Sequence, residues 1–520
     1  MTVECIPLEK THAFSSLFLD YLAGKPELSS FYHRRPELDS ISAQIEEKSQ
    51  QFPQAQRDTL VSVLQSQYEG LEVTEAVKTN LQALADGKTF TVTTGHQLNI
   101  LTGPLYFIFK IATVVDACRT LAEKHPRYKF VPVYWMASED HDLAEINHVH
   151  LFGRKLTWET SQTGPVGRMS TEGLDKMMSE IQERLPVFEK AYNNFDTLAD
   201  AVRCYVNELF GEHGVVVIDA DHHDLKQALI PVIKDDVLHH NANDLAENAS
   251  KQLGDLGYKT QIFPRKINFF YLEPGQRNRI VREGDTWQVL NTEKSFSEEE
   301  LLEEISAKPE NFSPNVVLRP LYQELILPNL AYIGGPAEAA YWLQLKGVFD
   351  HFQAPLPLIM PRNFGVLMNK RTHERVDALG MTVADFFREE RDIVNEFVAS
   401  HSQSELSLLD EKNRIQEVFT QIKNKATEVD PTLEGRIGAH LSDVLKNVEK
   451  LEKRLEKAER EKHDKSVKQI QTIKSKMFPN GSLQERHDNF LNFILPNPEL
   501  ITQLVEGFDA FNYQMYVFKE

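Results

Sequence analysis

Apolar positions change their rhythm several times along the chain, and each change predicts a different element. Phe90-Thr91-Val92-Thr93-Thr94 is a short run of β-branched and aromatic residues that ends at Gly95-His96-Gln97. It reads as a buried strand. Gly103-Pro104-Leu105-Tyr106-Phe107-Ile108-Phe109-Lys110 follows and reads as a helix with proline in its first turn. Residues 129–136 and 214–219 are further strand candidates, the second a continuous apolar run of the kind found inside parallel sheets. Residues 315–318, 330–333 and 357–360 read as later strands, and 341–352 as helical. Strands alternating with helices over this length predict an α/β fold with a doubly wound parallel sheet.

The flanks and gaps have other patterns. Residues 1–88 look mainly helical, with polar-faced segments at 42–51 and 57–68. Within a core at 89–375, the stretches 150–210 and 240–312 are too long for simple crossovers. The second, with apolar runs at 261–263, 267–272 and 286–290, reads as an inserted α+β subdomain, where substrate contacts are often carried. Residues 376–478 form a helical arm. Leu441, Val444, Val448, Leu451, Leu455 and Ala458 follow the alternating three- and four-residue steps of a coiled-coil seam. Leu408, Ile415, Val418, Ile422 and Val429 make a second stripe, and Asp430-Pro431 breaks the helix between them. Two antiparallel helices follow, and a charged two-helix arm has little to hold it alone, which favours a homodimer. Residues 479–520 end in Phe508, Phe511, Tyr513, Tyr516 and Phe518, a tail expected to dock on the core.

Composition narrows the function. Across 520 residues, 57 Lys and Arg stand against 77 Asp and Glu, a net charge of −20. Such a surface repels nucleic acid and anionic lipid. The absence of a long apolar run argues against a membrane span, and the first ten residues lack a signal-peptide pattern, so a cytoplasmic protein is expected. Three scattered cysteines without a CxxC pair support neither disulfides nor a thiolate zinc site, and Cys118 falls in an apolar helix as a packing residue.

Four segments hold candidate chemistry. Gly95-His96-Gln97 at a strand end suits close approach of a phosphate, with His96 as donor. A turn histidine bonded only to backbone is the plain alternative. Ser138-Glu139-Asp140-His141-Asp142 follows the second strand, where α/β ligands bind, and its acids suit an amine, a divalent metal or both. Simple helix capping by Ser138 or Asp140 competes with that reading. Arg319 suits a carboxylate or phosphate, or else a structural pair with Glu338, which follows the loop Gly334-Gly335-Pro336. Asn480-Gly481-Ser482-Leu483-Gln484-Glu485-Arg486 is a turn followed by a capping pattern, with Lys474, Lys476 and Arg486 available to phosphates.

Taken together, TTGHQ with GPLYFIFK, YWMASEDHDLAEINH, NVVLRPLYQELILPNLAYIGGPAEAAYW and FPNGSLQER occur in the order found in BshC-type proteins, and the chain resembles that family over essentially its whole length. The resemblance implies a Rossmann-like core with inserted connecting subdomains and a coiled-coil arm used for dimerisation. It implies a cysteine ligase acting last in bacillithiol synthesis, joining cysteine to the amine of glucosaminyl-malate. The core also looks like that of class I aminoacyl-tRNA synthetases, with His96 at the place of their ATP-contacting histidine. On this reading His96, Asp140, His141 and Asp142 are catalytic. Gln97, Glu139, Trp135, Arg319, Gly334 and Gly335 bind substrate, and Gly95, Asn480, Gly481, Gln484 and Arg486 bind nucleotide. ATP, or bound ADP, is expected with Mg²⁺ and without zinc. The alternative is a dimeric nucleotide-binding scaffold or regulator without catalysis.

Overall fold

The computed structural model describes residues 1–402 and 407–519, which form two compact units. The first comprises Met1–Leu367 and Leu483–Lys519, and the second Met368–Ser482.

At the centre of the first unit is a five-stranded, wholly parallel sheet: β1 (Thr89–His96), β2 (Lys129–Met136), β3 (Val216–Asp219), β4 (Asn329–Gly334) and β5 (Leu358–Pro361). Its order is β5-β4-β1-β2-β3. The chain thus winds outward from β1 in one direction and then restarts beside β1 in the other. Adjacent strands β1 and β4 mark the topological switch point, where open α/β sheets bind ligands at the carboxyl ends of their strands.

Alternation within β1 explains how it is held. Phe90 and Val92 join Val114, Ala117 and Leu121 of α1 (Tyr106–Lys124) in one buried core, together with Ile41 and Ile45 from the N-terminal helices and Leu330, Ile333 and Met360 from the sheet. The intervening threonines are buried and hydrogen-bonded. Thr91 and Thr93 hydroxyls donate to Asn329 Oδ1 at 3.1 and 2.8 Å. Asn329 Nδ2 donates to Glu324 at 2.7 Å, and Glu324 pairs with Lys48 at 3.0 Å. A strand covered on both faces must satisfy its polar side chains internally, and this network does so.

The inserted segment after β3 builds a five-stranded antiparallel sheet containing Phe269–Glu273, Gln276–Glu283, Thr286–Val289, Ser295–Phe296 and Phe312–Pro314. Three sequence expectations differ here and at the N-terminus. Residues 315–318 form a turn rather than a strand, because Asn315 Oδ1 accepts from the Val317 N–H at 2.8 Å and its carbonyl from Arg319 N at 2.9 Å. This closes the chain into α2 (Arg319–Ile326). Residues 261–263 are irregular. The chain also opens on a strand, Thr2–Pro7, which pairs antiparallel with Gln514–Lys519. Both lie in a three-stranded sheet with Phe364–Met368. Helix α1 begins two residues after Pro104, so that proline precedes the first turn instead of occupying it.

In the second unit the helices Leu409–Val429 and Leu433–Lys462 form an antiparallel hairpin, turned at residues 430–432 and tied by Lys412–Glu452 and Lys423–Glu434 ion pairs at 2.6 Å each. The only buried residue of either helix is Glu459. The helix Asp464–Met477 instead buries Val467, Ile470, Ile473 and Met477. Among the described residues, no helix is long and apolar enough to cross a membrane.

Candidate active site

The carboxyl ends of β1, β2 and β4 open into two adjoining chambers of about 360 and 340 Å³ that share Trp135, Ala137, Val316 and Arg319. The first chamber lies at the switch point. Gly95 brings the β1 backbone to its floor. A Cβ there would stand 3.3 Å from the Tyr332 hydroxyl and 3.7 Å from Arg319 Nη1, so glycine keeps the backbone open to a ligand.

Beside it, α1 sends the buried Lys110 back toward the sheet. Its Nζ donates to the Gly95 carbonyl at 2.7 Å and pairs with Glu338 at 2.6 Å. Glu338 lies in the first turn of α3 (Pro336–Trp342), where it also accepts from the Gly335 N–H at 2.6 Å and the Tyr332 hydroxyl at 2.7 Å. Burial alone would raise its pKa. The Lys110 charge and these donors outweigh that and hold the carboxyl down at about 2. The Lys110–Glu338 pair therefore ties β1 to the β4 end across the switch point.

His96 responds in the opposite sense. Burial, then the Lys110 and Arg362 charges, lower its pKa to about 3 despite Glu338, so the imidazole is neutral near pH 7. The ring packs against Tyr106 and Phe107 at 5.2 and 5.4 Å, and its buried Nε2 has no hydrogen-bond partner. A buried polar atom left unmatched in a cavity wall is costly unless a ligand meets it. Arg319 has the same character. One nitrogen donates to Gln323 at 3.2 Å, the guanidinium lies 5.7 and 5.5 Å from the Trp135 and Tyr332 rings, and buried Nη2 is unpartnered. The Arg319–Glu338 pair considered from sequence does not form: Glu338 is taken by Lys110, Tyr332 and Gly335. Arg486 and Arg362 complete the cationic wall. The Arg362 guanidinium is braced by Glu485, which accepts from Nη1 at 3.0 Å.

The second chamber is more acidic. Gln97 Nε2 donates to Asp140 at 2.8 Å, linking the β1 end to the loop after β2. Arg277, from the inserted sheet, lies face-on to Phe270 at 3.9 Å. Its Nη1 donates to His141 Nδ1 at 2.9 Å and stands 4.0 Å from Asp140. Burial and the Arg277 charge lower the His141 pKa. Glu139 lines this chamber but pairs with buried Lys226, and burial raises its pKa against the pull of Lys226.

The structure therefore brings Gly95, His96, Gln97, Trp135, Glu139, Asp140, Arg319, Gly335 and Arg486 to one cleft. His141 stands at its edge, held by Arg277. Asp142 is exposed and lines neither chamber, and Gly334 sits one residue behind the lining Gly335. Gln484 is drawn into structure instead of the cleft. Its amide oxygen accepts from the Leu367 N–H at 2.8 Å and its nitrogen donates to the Leu367 carbonyl at 3.1 Å. Asn480 and Gly481 lie in the second unit, both with positive φ, 53° and 79°, as a tight turn requires. Lys110, Arg362 and Arg277 went unassigned in the sequence, and Glu338 was read only as a structural partner for Arg319. Lys110 at the end of the apolar run GPLYFIFK was a usable signal, since a lysine in a buried stripe needs a carboxylate partner. The cysteines take no part. Cys118 and Cys204 are buried, and burial raises both thiols, Cys204 to about 11.

Comparison with known proteins agrees with this architecture. Residues 1–363 match the family described as "Bacillithiol biosynthesis BshC, N-terminal Rossmann-like domain", and residues 365–520 its "C-terminal coiled-coil domain". The chain belongs to the BshC family. A relative from Cytophaga hutchinsonii is 42% identical over 99% of this chain and 98% of its own length. One from Flavobacterium psychrophilum is 40% identical over 97% of each. Both carry the name "Putative cysteine ligase BshC". The BshC boundary near residue 364 falls close to the break between the compact units, although Leu483–Lys519 returns to the first of them.

Proposed function

We propose that this protein is an ATP-dependent amide ligase that joins the carboxylate of cysteine to the amine of glucosaminyl-malate, the final step of bacillithiol synthesis. The observation that carries the reading is the paired cleft at the switch point: a cationic chamber with unpartnered His96 Nε2 and Arg319 Nη2 adjoins an acid-lined one. The family name of the relatives supports the same reaction class.

A carboxylate is a poor acyl donor, so the reaction needs two displacements. The cysteine carboxylate attacks a phosphorus of ATP and releases pyrophosphate or ADP. The amine then attacks the acyl carbon and releases AMP or phosphate. In this reading Arg319 and Arg486 hold the phosphate charge as it moves onto the leaving oxygens. His96 is neutral, so it meets the ligand as a hydrogen-bond partner and not as a cation. Asp140, steadied by Gln97, orients the amine and takes its proton. Among the described residues no group of three or more His, Cys, Asp or Glu is placed to hold a metal ion. Mg²⁺ is therefore proposed to travel with the ATP phosphates, as it commonly does, and no step is assigned to a resident ion. We also place the protein in the cytoplasm, as a homodimer through the arm, whose Val418, Ile422, Leu451 and Leu455 are 45–52% exposed.

The test is direct. Purified protein with ATP, Mg²⁺, cysteine and glucosaminyl-malate should yield bacillithiol by mass spectrometry, with AMP or ADP in equal amount. No product, or product without nucleotide consumption, sinks the proposal.

A further inference from the structure

We propose that the inserted antiparallel sheet carries a second ligand site, for a small molecule bearing two or more phosphate groups. A cavity of about 410 Å³ is walled by Arg265 and Lys266 from the irregular segment before Phe269–Glu273, and by Arg279 and Arg282 from the strand Gln276–Glu283. It shares no lining residue with either chamber of the central cleft, and no Asp or Glu lines it.

Four cations around one acid-free cavity need explaining in a chain of net charge −20. In the central cleft, Lys110 and Arg362 each meet a carboxylate. Among the described residues, none of the four is ion-paired with a carboxylate. Like charges gathered in a concave, partly apolar wall raise the local potential and attract counter-anions. Here that wall includes Ile267, Ile280 and Leu290.

Geometry narrows the anion. Arg282 is held in place, 4.7 Å over the Trp287 ring with its Nε donating to the Gly284 carbonyl at 3.2 Å. The cations come from two separate elements, Arg265 and Lys266 from the segment before Phe269–Glu273 and Arg279 and Arg282 from the strand Gln276–Glu283, so a ligand with more than one phosphate can engage both walls at once. Guanidinium forks suit phosphate oxygens. His240, at the junction of two helices with φ of 61°, also lines the cavity, its Nδ1 donating to the Asp236 carbonyl at 2.9 Å. The volume is in the range of small-molecule sites, about 300–1,000 Å³.

Titration calorimetry on the full chain decides the matter, with pyrophosphate and tripolyphosphate as probes and orthophosphate as control. The background Arg319→Gln/Arg486→Gln weakens competition from the central cleft, and the further substitutions lie outside that cleft, so the outcome does not depend on the ligase reading. In that background, saturable binding of one pyrophosphate or tripolyphosphate per chain at about 0.1 M salt is expected. Adding Arg265→Gln and Arg279→Gln, two exposed and unpaired side chains, should weaken it at least tenfold without changing the melting temperature. The proposal is overturned if the background protein shows no saturable binding. It is equally overturned if the added substitutions leave the affinity unchanged, or if orthophosphate binds as tightly as tripolyphosphate.

Discussion

His96 shows how a residue's surroundings can reverse its reading. From sequence, a histidine beside a glycine at a strand end suggests a donor for phosphate that becomes cationic if the phosphate raises its pKa. In the fold, burial and the Lys110 charge lower its pKa to about 3, so it is uncharged throughout the physiological range. The unfolded chain takes up a proton near pH 6.5 that the folded protein refuses, so His96 costs stability as pH falls from about 6.5 toward 3. Glu338, held at about 2, loses its contribution lower, as pH falls from about 4.5 through 2. Asp219 and Asp236, raised by burial to about 6 and about 7, act the other way and lose stability as pH rises from about 3.8 to those values. A difference experiment separates them. His96→Gln should flatten the fall in melting temperature between pH 6.5 and 4.5 relative to the parent protein, and parallel curves would show that His96 is not buried neutral. Arg319 permits an activity prediction at the same scale. Its planar fork packs between two rings with one nitrogen free. A lysine cannot reproduce that geometry, so Arg319→Lys should lower kcat/KM for bacillithiol formation on the order of a hundredfold, read by the mass-spectrometric assay.

At the scale of elements, an ion pair between the buried Lys110 and the partly exposed Glu338 joins α1, β1 and α3 at the switch point. Lys110 has carbonyl and carboxylate partners, and Glu338 has three kinds of donor. Removing Glu338 leaves the Lys110 charge buried, a change that typically costs about 3–5 kcal/mol. Glu338→Gln should therefore lower unfolding free energy by that order in urea titration, and Lys110→Met/Glu338→Gln should recover part of the loss. If the double variant were no better than the single one, the pair would not be coupled. The elements also show what could be read early. β1 and β2 were legible because strands buried on both faces keep continuous apolar or β-branched runs. Residues 315–318 misled because Val316-Val317-Leu318 looks like a strand, while Asn315 closes the backbone into a turn. The strand Thr2–Pro7 was invisible because its partner, Gln514–Lys519, lies at the other end of the sequence.

For the molecule as a whole, the arm's apolar seam is the open question of assembly. The hairpin brings the two stripes together, yet Val418, Ile422, Leu451 and Leu455 stay 45–52% exposed. Half-covered apolar rows on charged helices favour association with another helical surface. The expected species is a dimer by light scattering, and Ile422→Glu/Leu451→Glu should shift it to monomer while leaving the first unit's melting transition in place. A monomeric parent protein would remove the argument.

Sequence periodicity alone specified a parallel α/β core and the five strands of its sheet, the two-helix arm and its turn at Asp430-Pro431. Each of these rests on local backbone and burial preferences that a window of residues carries. Motif order along the chain specified the family. Tertiary structure decided what neighbours in space decide: that β1 and β4 are adjacent, that Lys110 and Arg277 enter the site, that Gln484 serves the strand at Leu367, and that Asp142 faces solvent. Charge states followed the same division. The pKa of His96 depends on desolvation and on partners 14 to 266 residues distant in the chain, and that of Glu338 on Lys110, 228 residues away, and no local pattern encodes these.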